Sequence, residues 1–300
     1  MGHSMYLELF ETGKLRTIAD NLYNSLSECR ICPRKCGVNR IKGELGFCRT
    51  PKDAIISSTG PHFGEEPPLV GRYGSGTIFF AGCNLHCIFC QNSGISWEME
   101  GKSVSIDELA EMMLNIQKLG CHNLNFVTPS HVVPQILLAL NEACKEGFKL
   151  PLVYNSGGYD SVETLQLIEE VFDIYMPDMK YADNNIAKEL SDAPDYPETM
   201  YNALKEMHKQ VGNLKINSDG IAEKGLLIRH LVLPNNLAGT ERIIKFIAEE
   251  LSTDSYVNVM AQYRPCYKAR KYPEISRRLN MDEYNEACEI ARSNGLYRGY

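Results

Sequence analysis

Three cysteines fall within eight residues of the stretch AGCNLHCIFCQN (residues 81–92): Cys83, Cys87 and Cys90. Thiolates bind soft metal ions, and a structural zinc ion asks for four protein ligands. His86 could supply a fourth, but it adjoins Cys87 and its side chain is expected to point elsewhere. Three cysteines suffice for a [4Fe-4S] cluster that keeps one iron free to bind a substrate or cofactor. A tight loop suits that task, because it can wrap one face of a cube as a strand or helix cannot.

A second group, Cys29-x2-Cys32-x3-Cys36-x11-Cys48, lies in CRICPRKCGVNRIKGELGFC. Four thiols, turn-forming Gly43 and Gly46, and nearby basic residues suit a closed tetrahedral zinc site. They equally suit an auxiliary iron–sulfur cluster, and no ligation is the third reading. Cys121, Cys144, Cys266 and Cys288 are scattered. The first two and Cys288 are expected in the core, where an isolated thiol behaves as a small hydrophobe.

The elements that must hold these groups are those of an ordinary globular chain. With 300 residues, 44% of them hydrophobic and 23% charged, a full core can be buried. There is no apolar run of membrane-spanning length and no signal-peptide pattern, so a cytoplasmic protein without a membrane partner is expected. The opening MGHSM reads as an expression-tag remnant before a native start at Met5. A net charge of −7 disfavours non-specific nucleic-acid binding, which needs a basic surface. Eleven cysteines in a reducing compartment read as metal ligands or core residues rather than disulfides.

Up to residue 75 the texture is irregular: a helix near 15–27, the cysteine group, then the Gly/Pro-dense STGPHFGEEPPLVGRYGSG, read as a long ordered loop. Such an extension needs a metal staple to be ordered. From residue 76 onward, apolar runs alternate with amphipathic helices. The strand candidates are TIFFAG, NLNFVT, PLVYNS, FDIYMPD, LLIRHLVL and YVNVMAQ. The helices are expected at 105–119, 132–146, 161–170, 197–211, 240–251 and 281–293. Ser105 stands three residues before Glu108, a capping-box pattern. Six βα units imply an α/β fold with a parallel sheet, a partial (β/α)6 TIM-like barrel or a doubly wound sheet, with ligands at the strands' C-terminal ends.

On the loop GCNLHCIFCQN, directly after the first strand of a βα array, the chain resembles the radical S-adenosylmethionine (SAM) superfamily. Asn84, Phe89 and Asn92 extend the likeness to the pyruvate formate-lyase activating enzyme-like branch. Its amino-terminal cysteine region resembles the iron–sulfur proteins described as activating enzyme-like rather than the minimal activating enzymes. The resemblance covers residues 76–300 and implies the partial barrel. It also implies a [4Fe-4S] cluster on Cys83, Cys87 and Cys90, with SAM chelated at the free iron. Reduction would cleave SAM to methionine and a 5′-deoxyadenosyl radical that takes hydrogen from a substrate. That substrate would be a loop of a glycyl-radical enzyme, or another peptide, a nucleic acid or a small metabolite. Flavodoxin or ferredoxin would supply the electron.

The resemblance places further residues. The superfamily's Gly-Gly-Glu turn, which binds the SAM amino group, is replaced here by Thr128, Pro129 and Ser130 in VTPSHV, leaving Ser130 or backbone carbonyls to serve. That departure also keeps open a non-catalytic iron–sulfur or zinc scaffold. YNSGGYD puts Asn155 and Ser156 near the SAM ribose. YMPDMK puts Asp178 and Lys180 in the active site, with the Met176 carbonyl and Asp178 able to hold a monovalent cation. Arg229 in LLIRHLVLP is expected near SAM, and an arginine in an apolar strand needs an anionic partner in any case. His230, on the opposite face, reads as a packing or hydrogen-bonded histidine. Gln262, Tyr263, Arg264 and Cys266 are expected at the barrel mouth.

Overall fold

The computed structural model describes residues 4–300; the first three residues of the opening MGHSM lie outside it. Two helices, α1 (Tyr6–Glu11) and α2 (Lys14–Asn24), precede the four-cysteine segment. The chain then forms β1 (Ala54–His62), the short α3 (Pro67–Val70) and β2 (Ser75–Phe80). After the three-cysteine loop come α4 (Ser93–Ser96), β3 (Lys102–Val104) and α5 (Ile106–Lys118). Then follow β4 (Leu124–Val127), α6 (Val133–Lys145), β5 (Leu152–Ser156), α7 (Val162–Leu167) and β6 (Ile174–Pro177). The remainder is α8 (Asn184–Ser191), α9 (Tyr196–Val211), β7 (Lys215–Ile216), β8 (Ala222–Leu231), α10 (Thr240–Phe246), β9 (Tyr256–Met260) and α11 (Met281–Ser293).

All six expected strands form, and β2, β4, β5, β6, β8 and β9 pair parallel in that order. No ladder joins β9 back to the first strands among the described residues, so the barrel is partial and open. The expected helices also form, and periodicity located them because their apolar stripes face this sheet. α5 starts on the anticipated capping box, with Ser105 Oγ accepting the Glu108 N–H and the Glu108 carboxylate accepting the Ser105 N–H. No helix among the described residues is long and apolar enough to cross a membrane.

The amino-terminal segment is more regular than its texture suggests. β1 pairs antiparallel with β2 and, over its first residues, with β3. Its Gly60 and Pro61 conceal it from a propensity reading. Pro61 is tolerated because β3 covers only Ala54–Ile56, leaving the outer edge of β1 unpaired where the missing N–H would lie. α2 packs on α6. The extension therefore belongs to the same sheet and core as residues 76–300.

Running antiparallel, β1 returns the chain to the strands' N-terminal ends, where His62 pairs with Ser75. From there α3 plugs the barrel floor. Leu69, fully buried, joins Val153, Ile174, Met176 and Leu227 in one apolar cluster inside the barrel. The larger core lies outside the sheet, between it and the helices, and takes in the buried Cys121, Cys144 and Cys288 as expected.

Candidate functional site

β2 ends at Phe80, and the next residues turn into the three-cysteine loop at the C-terminal end of the sheet. Each sulfur has a donor or hydroxyl beside it. Cys83 Sγ accepts the Leu85 N–H at 3.3 Å, Cys87 Sγ accepts the Ser191 O–H at 3.0 Å, and Cys90 Sγ lies 3.1 Å from Ser96 Oγ. Hydrogen bonds of this kind stabilise thiolate sulfur and tune a bound cluster. Burial pushes the Cys83 and Cys87 thiols up and their neighbours add to it, while Lys180 pulls the other way. Iron or another cation would hold Cys83 and Cys87 as thiolates.

His86 does not close a four-ligand site. Its ring is sandwiched between Phe47 at 3.9 Å and Trp97 at 4.3 Å. Among the described residues, no three His, Cys, Asp or Glu groups close around a single metal ion. Three thiols without a fourth protein ligand fit a cluster held by three cysteines with one iron left open.

Beneath the loop lies a buried ion network. Asp178 pairs with Lys180 Nζ at 2.5 Å through one carboxylate oxygen and with Arg229 at 2.8 Å through the other. Burial alone would raise the Asp178 carboxyl, but Arg229 and Lys180 more than reverse it and hold it below its usual range. Both Asp178 oxygens are thus engaged by cationic side chains. Arg229 also donates to Asn155 Oδ1 at 2.7 Å and reaches Glu65 and Glu66 at 3.8 and 3.9 Å. These side chains are only 15–17% exposed for Asp178, Lys180 and Arg229, and 6–8% for the two glutamates. Burial raises the Glu65 carboxyl and Arg229 opposes it. Asn125, fully buried nearby, has no partner for either amide atom among the described residues, nor does Glu66 Oε2.

The structure thus brings together Asn155, Asp178, Lys180 and Arg229 under the three cysteines. It turns Ser130 and Ser156 away. Their hydroxyls donate at 2.6 Å to opposite oxygens of Asp160, a fully enclosed carboxylate that also accepts the Tyr154 O–H at 2.9 Å. The alternation of β5 explains this: Asn155 faces the barrel, so its neighbour Ser156 faces out. The glycines of YNSGG serve packing. Gly158 has φ +75°, and a Cβ there would lie 2.1 Å from the Asp178 carbonyl oxygen; one on Gly157 would meet Leu85.

Where the superfamily's Gly-Gly-Glu turn would stand, Thr128 adopts φ +64°. A β-branched residue in left-handed backbone is strained. Thr128→Gly is expected to raise stability by about 1 kcal/mol, read as a higher Tm; a lower Tm would show that contacts of the threonine side chain outweigh the strain.

Beyond β9, Tyr263 is buried with its hydroxyl on the Ile275 carbonyl, whereas Gln262 stays exposed near Gln91 of the cysteine loop. Arg264 is exposed and Cys266 half-buried. His230 is hydrogen-bonded as expected, to the Met179 carbonyl and Thr240 hydroxyl. His131 is equally buried, on the Ala81 carbonyl.

Burial lowers both His131 and His230 from 6.5 to about 4. The unfolded chain therefore takes up these protons first as pH falls. Stability is full above pH 6.5 and declines toward pH 4 by about 1.4 kcal/mol per unit for each histidine. A His230→Gln variant should lose one such slope relative to wild type in urea titrations at pH 7 and 5. An identical slope would contradict a neutral His230.

The family model of the Radical SAM superfamily matches residues 77–247, from within β2 through α10, and so spans the cysteine loop with Asn155, Asp178, Lys180 and Arg229. The chain belongs to the radical SAM superfamily. Members of this superfamily bind a [4Fe-4S] cluster and SAM, and the donor set at Cys83, Cys87 and Cys90 fits that cluster. The chain is 36% identical over 286 residues to an uncharacterized protein of Methanocaldococcus jannaschii, covering 93% of this chain and 78% of the relative. Among solved structures it is similar to anSMEcpe with bound AdoMet, at 14% identity and a TM-score of 0.50, over 71% of this chain and 57% of that one. A radical SAM methyltransferase from Sphaerobacter thermophilus gives 14% identity and a TM-score of 0.49, over 74% of this chain and 65% of that one. The chain thus spans less than two thirds of both solved chains, and likeness at this identity concerns the radical SAM fold alone.

Sequence reading missed Glu65, Glu66, Asn125, Asp160 and Tyr196. The Tyr196 hydroxyl sits 2.8 Å from both the Gly157 and Asp178 carbonyl oxygens and accepts the Lys180 N–H. The adjacent carboxylates in GEEPP were the one available signal, and nothing local says that they lie on a barrel floor.

Proposed function

We propose that this protein is a radical SAM enzyme of the activating enzyme-like branch. The observation that carries the reading is the set of three sulfurs, two of them hydrogen-bonded from N–H or O–H, poised above the Asp178–Lys180–Arg229 network. When bound, the cluster and SAM supply one-electron cleavage of the sulfonium and a hydrogen-abstracting carbon radical. Cys83, Cys87 and Cys90 hold the cluster. Asn155, Asp178, Lys180 and Arg229 line the space beneath it and orient SAM through charge and hydrogen bonds. The strained Thr128 turn presents backbone carbonyls for the SAM amino group in place of a Gly-Gly-Glu turn. The partnerless atoms of Asn125 and Glu66 supply sites for a polar part of the substrate, since buried polar groups are otherwise paired. The barrel wall keeps water from the reacting atoms.

The substrate on this reading is a glycyl loop of a partner enzyme, supported by the likeness of GCNLHCIFCQN to the activating enzymes. Flavodoxin or ferredoxin provides the electron, in a cytoplasm that keeps the eleven thiols reduced. The test is anaerobic reconstitution followed by SAM and dithionite. Formation of 5′-deoxyadenosine is expected; none from protein with a fully loaded cluster would overturn the reading.

A further inference from the structure

The four amino-terminal cysteines gather beside the three-cysteine loop. Cys29, Cys32 and Cys48 are buried and Cys36 is exposed. The segment has little apolar core of its own, only Leu26, Cys29 and Ile31. Gly46 is drawn so close to Cys36 that a Cβ on it would lie 2.5 Å from the sulfur.

A second observation points independently to an anionic group here. Arg40 is 1% exposed, yet it has no carboxylate partner among the described residues. Its guanidinium donates to the carbonyls of Pro51 and His131, and Nη1 stands 3.9 Å from Cys29 Sγ. A buried cation without a counter-charge is costly. Metal-bound thiolates carry the negative charge that Arg40 lacks. Four thiols in one segment match the four-cysteine ligand set of an iron–sulfur cluster.

The two cysteine groups touch. Phe47, adjoining Cys48, stacks on His86, adjoining Cys87, and His86 stacks on Trp97, whose indole N–H donates to the Cys87 carbonyl at 3.2 Å. Arg34 covers the other face of Phe47 at 3.6 Å and donates to the Asn84 carbonyl at 2.9 Å. Gly82, just before Cys83, lies so near Cys48 that a Cβ would stand 2.7 Å from its carbonyl oxygen. On the outer side, exposed Cys36 belongs to a segment that carries exposed Lys35, Lys42 and Arg49 and exposed Ile41 and Leu45; Lys35 pairs with Glu163 at 3.3 Å, and Glu44 is the one acidic residue between Cys29 and Cys48. That cationic face stands out on a chain of net charge −7.

We propose that Cys29, Cys32, Cys36 and Cys48 bind a second iron–sulfur cluster that relays electrons to the first. An acidic one-electron carrier docks on the Lys35–Lys42–Arg49 face and is oxidised by one electron. The four-cysteine cluster is reduced by that electron and re-oxidised as it passes to the three-cysteine cluster; no bond or proton moves. The relay rests on the radical SAM reading, but the second cluster is testable without SAM cleavage.

In a Cys83→Ala, Cys87→Ala, Cys90→Ala triple variant reconstituted without oxygen, about four irons and a dithionite-reduced paramagnetic signal are expected to remain. Cys36→Ala with Cys48→Ala, which leaves only two thiols and so too few for a cluster, should lower iron in the otherwise native chain from about eight to about four. Zinc or bare thiols in the triple variant, or unchanged iron in the Cys36→Ala, Cys48→Ala variant, overturns the cluster. For the docking face, Lys35→Glu with Lys42→Glu should slow reduction by reduced flavodoxin at least about tenfold at low salt, measured against the rate with dithionite. An unchanged flavodoxin rate overturns the relay.

Discussion

Alanine at Cys83, Cys87 or Cys90 is expected to remove 5′-deoxyadenosine formation altogether and to strip the cluster bound by that loop. Each sulfur is one of only three ligands, and no neighbouring side chain can replace it, since His86 is held between Phe47 and Trp97. Ser191→Ala is the graded counterpart. It leaves the three ligands in place and deletes only the 3.0 Å hydrogen bond to Cys87 Sγ. Loss of such a supporting contact should cost about 10- to 100-fold in cluster retention or turnover. Anaerobic iron analysis with product quantification checks both. Full activity in any of the three cysteine variants would mean that the loop does not carry the cluster.

Arg229→Met is expected to destabilise the fold by about 3–5 kcal/mol in urea titration, because it strands Glu65 and Glu66 inside the barrel without their cation. Asp178 keeps Lys180 and suffers less. Burial already raises Glu65, so without Arg229 its folded carboxyl rises further above the unfolded value. A group raised in this way binds its proton more readily folded than unfolded. The deficit of the variant should therefore shrink as pH falls through the carboxylate range and be full at neutral pH. Arg229→Lys keeps the charge but not the fork that reaches Asp178 and Asn155 together, and should recover only part of the loss. A deficit that does not change with pH would show that the cost comes from packing alone.

The parallel core was legible because its signals are local. Strands such as PLVYNS are short apolar runs, helices such as 105–119 carry a 3.6-residue stripe and a cap, and each formed where expected. The same local logic failed for β1, where glycine and proline interrupt the pattern and pairing with β2 supplies the order. It failed also for Ser130 and Ser156. Position in the chain put both near the strand ends, but the alternation of β5 turns Ser156 outward onto nearby Asp160, and tertiary packing brings Ser130 to the same buried carboxylate. Glu65 and Glu66 reach Arg229 only because β1 runs backward along β2 and carries the chain to the barrel floor.

By itself, then, the sequence determined the class of chemistry and the alternating frame beneath it. Thiol spacing, apolar periodicity and caps act over a few residues and need no partner from elsewhere in the chain. Only the tertiary structure decided which polar groups meet. Asp178, Lys180 and Arg229 share two carboxylate oxygens, Arg40 lies buried beside Cys29, and Phe47 joins one cysteine group to the other. Charge pairing and ring stacking depend on distances set when remote strands and loops close on one another, and no local pattern encodes those distances.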